Sequence, residues 1–126
     1  MNSYNQKILI VDDIEDNRFT LERRLSRNGY TAISQADCGT KALELVKEEN
    51  FDLILLDLMM PDISGLDVLK TLKADPKSRG IPVVMVTAAD EIETTAECIS
   101  NGAEDYITKP INATLLKARV TACLEK

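Results

Sequence analysis

A chain of 126 residues is expected to fold as one domain, residues 1–126, burying roughly two-thirds of its unfolded surface. Its 44% apolar and 29% charged content is that of a soluble globular protein, and a net charge of −6 argues against a surface built to bind nucleic-acid backbones. The absence of histidine removes imidazole acid–base chemistry, histidine metal ligands and a phosphohistidine on this chain, so any phosphate chemistry needs a carboxylate acceptor.

Strand-like and helix-like segments alternate along the chain, with no repeat, low-complexity tract or linker. Lys7–Val11 is the first predicted strand, running into Asp12-Asp13. Glu15–Asn28 is a predicted helix with Leu21 and Leu25 on one stripe, ended by Asn28-Gly29. Thr31–Ala36 reads as a weaker, edge-like strand, and Gly39–Glu49 as a helix carrying Ala42, Leu43 and Val46. Leu53–Asp57, preceded by Phe51, is an apolar run ending in an acid; such a run marks a strand buried on both faces of a parallel sheet. Ser64–Lys73 is a predicted helix opened by a capping-box pattern, Ser64-x-x-Asp67. Pro82–Thr87 is the fourth predicted strand, with Pro82 tolerated at its start. Asp90–Asn101 is a predicted helix with a cap pattern Asp90-x-x-Glu93, stopped at Gly102. Asp105–Ile107 is a short fifth strand and Ile111–Leu124 the last helix.

This alternation predicts a doubly wound α/β sandwich around a five-stranded parallel sheet with right-handed crossovers and five helices. The most apolar strands, the first, third and fourth, belong in the centre, and the second and fifth at the edges. The strand order 2-1-3-4-5 satisfies this and opens a crevice between the first and third strands, where Asp12, Asp13 and Asp57 fall. Cys38, Cys98 and Cys123 are odd in number and form no CxxC pair, so they are expected to be free buried thiols in a reducing compartment. Met1–Lys7 lacks a signal-peptide pattern and no apolar run approaches membrane-spanning length, which predicts a cytoplasmic location and no membrane partner.

An acid after a strand often caps the next helix, but of Asp12 and Asp13 only one can do so. Packed with Asp57 at ~4 Å and an effective dielectric near 20, their like charges repel by a few kcal/mol per pair. A divalent cation removes that cost, and hard oxygen ligands favour Mg²⁺ or Mn²⁺ over zinc. Asp57 can then act as a nucleophile that takes a phosphoryl group onto its carboxylate. Thr87 is by itself an ordinary strand residue, yet at the tip of the fourth strand its hydroxyl can donate to a phosphoryl oxygen. Lys109 is by itself an ordinary surface charge, yet X-Pro in a tight turn can be cis, and a cis Lys109-Pro110 bond would aim the lysine back across the sheet edge. Tyr106 is an edge-strand aromatic.

In this order and spacing the motifs resemble the receiver domains of two-component response regulators over nearly the whole chain. They comprise Ile10-Val11-Asp12-Asp13 with Asn17-Arg18 and Leu21, then Ala36-x-x-Gly39-x-x-Ala42-Leu43. Asp57-x-x-Met60-Pro61-x-x-x-Gly65, Thr87-Ala88, Gly102-Ala103-x-Asp105-Tyr106 and Lys109-Pro110 complete the series. The resemblance implies that Asp57 is the phosphoacceptor, and that Asp12, Asp13, Asp57 and the main-chain carbonyl of Met59 hold Mg²⁺. It implies that Thr87 and Lys109 bind the phosphoryl group and that Tyr106 is a switch aromatic that turns inward as Thr87 moves. The implied donor is a histidine on a sensor kinase or phosphotransfer protein. The domain then acts as a signalling switch rather than an enzyme, catalysing only its own phosphorylation and slow dephosphorylation.

Three other readings fit less well. A flavodoxin-like FMN carrier shares the fold, but Asp12-Asp13 would repel the FMN phosphate. A haloacid-dehalogenase-type phosphatase expects a second Asp where this chain has Met59. A degenerate receiver would not need a full site. The last helical stretch, Leu115–Lys126, ends without a Gly or Pro stop, so the expectation leans toward a piece of a longer regulator over a complete single-domain one. The readout is expected on the face formed by the fourth helix, fifth strand and fifth helix, which would serve an output domain, an effector protein or a homodimer of the phosphorylated form, without direct nucleic-acid contact.

Overall fold

A computed structural model describes residues 4–125, so the expected domain limits at residues 1 and 126 lie outside the described residues. Five parallel strands, β1 (Tyr4–Val11), β2 (Tyr30–Ala36), β3 (Leu53–Asp57), β4 (Val83–Thr87) and β5 (Asp105–Thr108), form one sheet in the order β2-β1-β3-β4-β5. Between and after them run α1 (Glu15–Arg27), α2 (Gly39–Glu48), α3 (Gly65–Ala74), α4 (Ile92–Ser100) and α5 (Ala113–Leu124).

Ile8–Val11 of β1, Leu53–Leu56 of β3 and Val83–Val86 of β4 are apolar because both faces of the sheet are covered there. Side chains alternate along each strand. Ile8, Ile10, Leu53, Leu55, Val84 and Val86 therefore point to one side, where they pack with Leu21 and Leu25 of α1 and Leu116 and Val120 of α5. Leu9, Val11, Ile54, Leu56, Val83 and Met85 point to the other and meet Ala42 and Val46 of α2, Val68, Leu69 and Leu72 of α3, and Cys98 of α4. Registers such as Val11↔Leu56 and Asp57↔Val86 bring the C-terminal ends of β1, β3 and β4 to one edge.

The element boundaries differ from the sequence expectation where side chains cap or extend them. β1 begins at Tyr4, with an irregularity in its pairing between Tyr4 and Lys7. α1 ends at Arg27, and Gly29 follows in the left-handed region with φ of 97°. The Ser64 hydroxyl accepts from the Asp67 amide at 3.2 Å, so the expected cap is present, one residue before α3 starts. Asp90 does not cap α4. The helix starts at Ile92, and the Glu91 carboxylate instead accepts the Ala88 amide at 2.6 Å, closing the turn after β4. α5 starts at Ala113 rather than Ile111, because Asn112 Oδ1 accepts from the amides of Thr114 and Leu115. None of the three cysteines is in a disulfide, as expected, but only Cys98 is buried; Cys38 and Cys123 are half-buried. Among the described residues no helix is long and apolar enough to cross a membrane.

Gly65 sits where α3 starts against the end of β3. A Cβ there would come within 2.3 Å of the Asp57 carbonyl oxygen and 2.8 Å of Leu58 Cα, both backbone atoms that cannot step aside cheaply. At Gly80 a Cβ would meet nothing within 4 Å. Gly65→Ala is expected to cost about 1–3 kcal/mol in urea unfolding through forced backbone shifts. Gly80→Ala should stay within about 0.5 kcal/mol of the parent. Equal effects at the two positions would contradict the close packing assigned to Gly65.

Candidate functional site

Because every strand is parallel, their acidic and hydroxylic ends share the same edge of the sheet. Asp12 follows β1 and Asp57 ends β3; they are 1% and 3% exposed, whereas Asp13 is exposed. One carboxylate oxygen from each of Asp12, Asp13 and Asp57 lies within 4.8 Å of the others. Lys109, just past β5, reaches back over the edge: its Nζ is 3.0 Å from Asp57 Oδ1 and 3.5 Å from Asp12 Oδ2. The Lys109–Pro110 bond is cis, as the sequence reading suggested, and the Lys109 amide donates to the Thr87 carbonyl at 2.7 Å.

Asp12 also has a structural share. Its Oδ1 accepts the Ile14 amide at 2.9 Å, and Asn17 Nδ2 donates to both of its oxygens at 3.3–3.4 Å. Arg18 holds the Asp12 carbonyl through Nη1 at 2.8 Å. These contacts fix the carboxylate direction from the first turn of α1. Asn17 and Arg18 were visible to sequence reasoning only as parts of a motif, since nothing in their local spacing assigns them an orienting role.

The electrostatics are unbalanced. Burial, aided by the charges of Asp12 and Asp13, pushes the Asp57 carboxyl up from 3.8 to about 6, and the Lys109 hydrogen bond only partly offsets this. Burial acts to lower the pKa of Lys109, but its bond to Asp57 and the nearby carboxylates outweigh that and raise it. The pair is thus charged on the lysine side, while the carboxylates still repel one another. Three clustered acids paired among the described residues with one ammonium leave room for about two positive charges. An all-oxygen donor set fits a hard divalent cation.

The remaining expected residues are close by but are not all joined to the cluster. Thr87 ends β4, 1% exposed, and its hydroxyl is buried without a hydrogen-bond partner. Such an orphan is costly unless a ligand satisfies it at some stage of function. Tyr106 on β5 is 42% exposed and, with Thr87, Ile92, Thr95 and Ile99, lines an apolar cleft of about 320 Å³. The Met59 side chain is 63% exposed, so only its main chain is available to the site.

The pH response of metal-free protein follows from the raised Asp57 carboxyl. The unfolded chain releases this proton near 3.8 and the folded protein near 6, so between those values the folded state binds more protons. The stability this group contributes is complete below pH 3.8 and is lost as pH rises through about 6. Asp57→Asn removes the titration. In urea unfolding with EDTA, the stability of Asp57→Asn relative to wild type should therefore rise by up to about 3 kcal/mol between pH 4 and 7. A difference independent of pH would contradict the burial and repulsion assigned to Asp57.

Comparison with known proteins agrees with this geometry. The response regulator receiver domain family matches residues 8–121. The response regulator PleD of Caulobacter vibrioides is 44% identical over 114 residues, which are 90% of this chain but 25% of PleD. The chemotaxis protein CheY of Pseudomonas aeruginosa is 36% identical over 120 residues, covering 95% of this chain and 97% of CheY. The crystal structure of a putative response regulator from Chloroflexus aurantiacus superposes with a TM-score of 0.92 at 29% identity, covering 98% of this chain and 100% of that one. The chain thus spans about a quarter of one relative and nearly all of another. By profile, sequence identity and fold, it belongs to the receiver domain family of two-component response regulators.

Proposed function

We propose that Asp57 accepts a phosphoryl group from a phosphohistidine on a sensor kinase or phosphotransfer protein, in the cytoplasm, and that residues 1–126 act as one receiver domain. The observation that carries this reading is a carboxylate only 3% exposed, 3.0 Å from a lysine ammonium and clustered with two further acids. In the transfer, an Asp57 carboxylate oxygen attacks phosphorus. The P–O bond forms as the P–N bond breaks, and the bonding electrons leave with the imidazole nitrogen.

Asp12, Asp13, Asp57 and the Met59 carbonyl would hold Mg²⁺, with Mn²⁺ as the alternative. When bound, the cation supplies charge neutralisation on the phosphoryl oxygens. Asp12 and Asp13 orient that charge, with Asn17 and Arg18 steadying Asp12. Lys109 exchanges part of its bond with Asp57 for a phosphoryl oxygen. The orphaned Thr87 hydroxyl gains an acceptor by moving toward Asp57. That movement opens space beside the cleft, into which Tyr106 turns. The bias then passes to the surface of α4, β5 and α5, where an output domain, an effector protein or a second copy would read it. Its size is limited to the difference in how the phosphoryl group interacts with the two states. Water attack on the same phosphorus would reset the switch slowly, so the domain catalyses only its own modification and its reversal.

Acetyl phosphate with Mg²⁺ is expected to add one phosphoryl group to the intact mass of the wild-type protein. It should add none to Asp57→Asn and none in EDTA, and Lys109→Ala should slow the gain by roughly 100-fold. Amide NMR should show shifts in α4, β5 and α5 that track the mass change. An unchanged mass together with unchanged spectra of those segments would overturn the assignment.

A further inference from the structure

The first turn of α2 is capped from a distance. Cys38 occupies its N-cap position with extended backbone (φ −161°, ψ 167°) but contributes no side-chain cap bond. The amides it leaves open are taken by Asp62, which lies more than twenty residues later in the loop between β3 and α3. Asp62 Oδ1 accepts the Gly39 amide at 3.0 Å, and Oδ2 accepts the Thr40 amide at 3.0 Å and the Thr40 hydroxyl at 2.8 Å. Both carboxylate oxygens are engaged, and the negative charge sits at the positive end of a helix dipole. The Thr40 amide and hydroxyl bonds, with further amides of Ile63 and Gly39, hold the Asp62 carboxyl well below the usual carboxylate range.

Residues 58–64 form an arch between Asp57 and α3, and the arch is fixed at both ends. At its base the Gly65 amide donates to the Leu58 carbonyl at 2.7 Å. At its crown Asp62 grips α2, and Ile63 packs so closely on Gly39 that a Cβ there would lie 3.0 Å from Ile63 Cβ. Met59 stands between these anchors with its own side chain exposed, so its neighbours decide where its carbonyl points. We infer that Asp62 is a positioning residue for the cation site: by tying the arch to α2 it sets the direction of the Met59 main chain. The inference rests on the proposed reading of the Asp12, Asp13, Asp57 and Met59 cluster as a divalent cation site. It adds a residue with no contact to the cation and a helix that takes no other part in the site.

An ordinary capping role would also make Asp62→Ala destabilising, so the test separates capping from positioning. Mg²⁺ affinity is measured by amide NMR titration with MgCl₂, and stability by urea unfolding. The proteins compared are wild type, Cys38→Ser, Asp62→Ala and the double variant Cys38→Ser/Asp62→Ala. Cys38→Ser supplies α2 with its own cap without restoring the bridge to the arch. Asp62→Ala is expected to bind Mg²⁺ about tenfold more weakly, the scale of a lost outer support. The double variant should recover the unfolding midpoint and keep the weakened affinity. Wild-type affinity in Asp62→Ala would overturn the inference, as would an affinity that returns together with stability in the double variant. If Asp62→Ala alone does not fold, the double variant is compared with Cys38→Ser and the same outcomes decide. A wild-type protein that shows no Mg²⁺ response would overturn the cation reading itself, an outcome distinct from equal affinities across the four proteins.

Discussion

Three carboxylates placed against one ammonium at the end of a buried sheet are the constraint on which the rest of this structure depends. At ~4 Å and an effective dielectric near 20, each like-charge pair costs about 4 kcal/mol, and one lysine cannot cancel three such pairs. Burial first, and the charges of Asp12 and Asp13 in addition, push the Asp57 carboxyl up to about 6 despite its bond to Lys109. A site so arranged is stable when positive charge enters it and responsive when a further anion is attached. Those are the two properties a phosphoryl-driven switch requires.

The groups that hold the acids are buried, paired or closely packed. β1 and β3 are buried on both faces, and their paired register keeps Asp12 and Asp57 beside each other. Gly65 lets α3 close directly onto the Asp57 backbone, and Asp12 is steadied by the Ile14 amide and Asn17. At the end of β4 Thr87 is buried with its hydroxyl unpartnered, and Tyr106 of β5 lines an apolar cleft beside it. Buried acids and an unpartnered hydroxyl thus lie on neighbouring strands at one end of the sheet.

Much of this was legible in the sequence because it depends on short-range pattern. Apolar runs ending in Asp12, Asp57 and Thr87 identified the central strands and the edge they share, whereas Lys109-Pro110 pointed to a returning lysine only together with the receiver-domain motif pattern. Features that depend on contact between distant segments were not legible. Asp62 looks like a turn residue in sequence, and its role emerges only once the loop after β3 lies against α2. The expected cap at Asp90 failed for a related reason. Glu91 closes the preceding turn onto the Ala88 amide, a geometry that the spacing of Asp90 and Glu93 cannot reveal. Helix ends were displaced by a residue or two wherever such caps took over, while the strand order was unaffected.

The central claim, that excess negative charge at this edge calls for a divalent cation, is tested most directly by urea unfolding of wild type and Asp13→Asn at neutral pH across a MgCl₂ titration. Asp13 is exposed and has no ion pair among the described residues, so replacing it removes charge without breaking the Lys109 contacts. The account predicts that wild-type stability rises with Mg²⁺ as expected for a ligand bound only by the folded state. It also predicts that Asp13→Asn is at least as stable as wild type in EDTA and gains far less from Mg²⁺. A wild-type protein indifferent to Mg²⁺, or an Asp13→Asn variant less stable than wild type in EDTA, would contradict it.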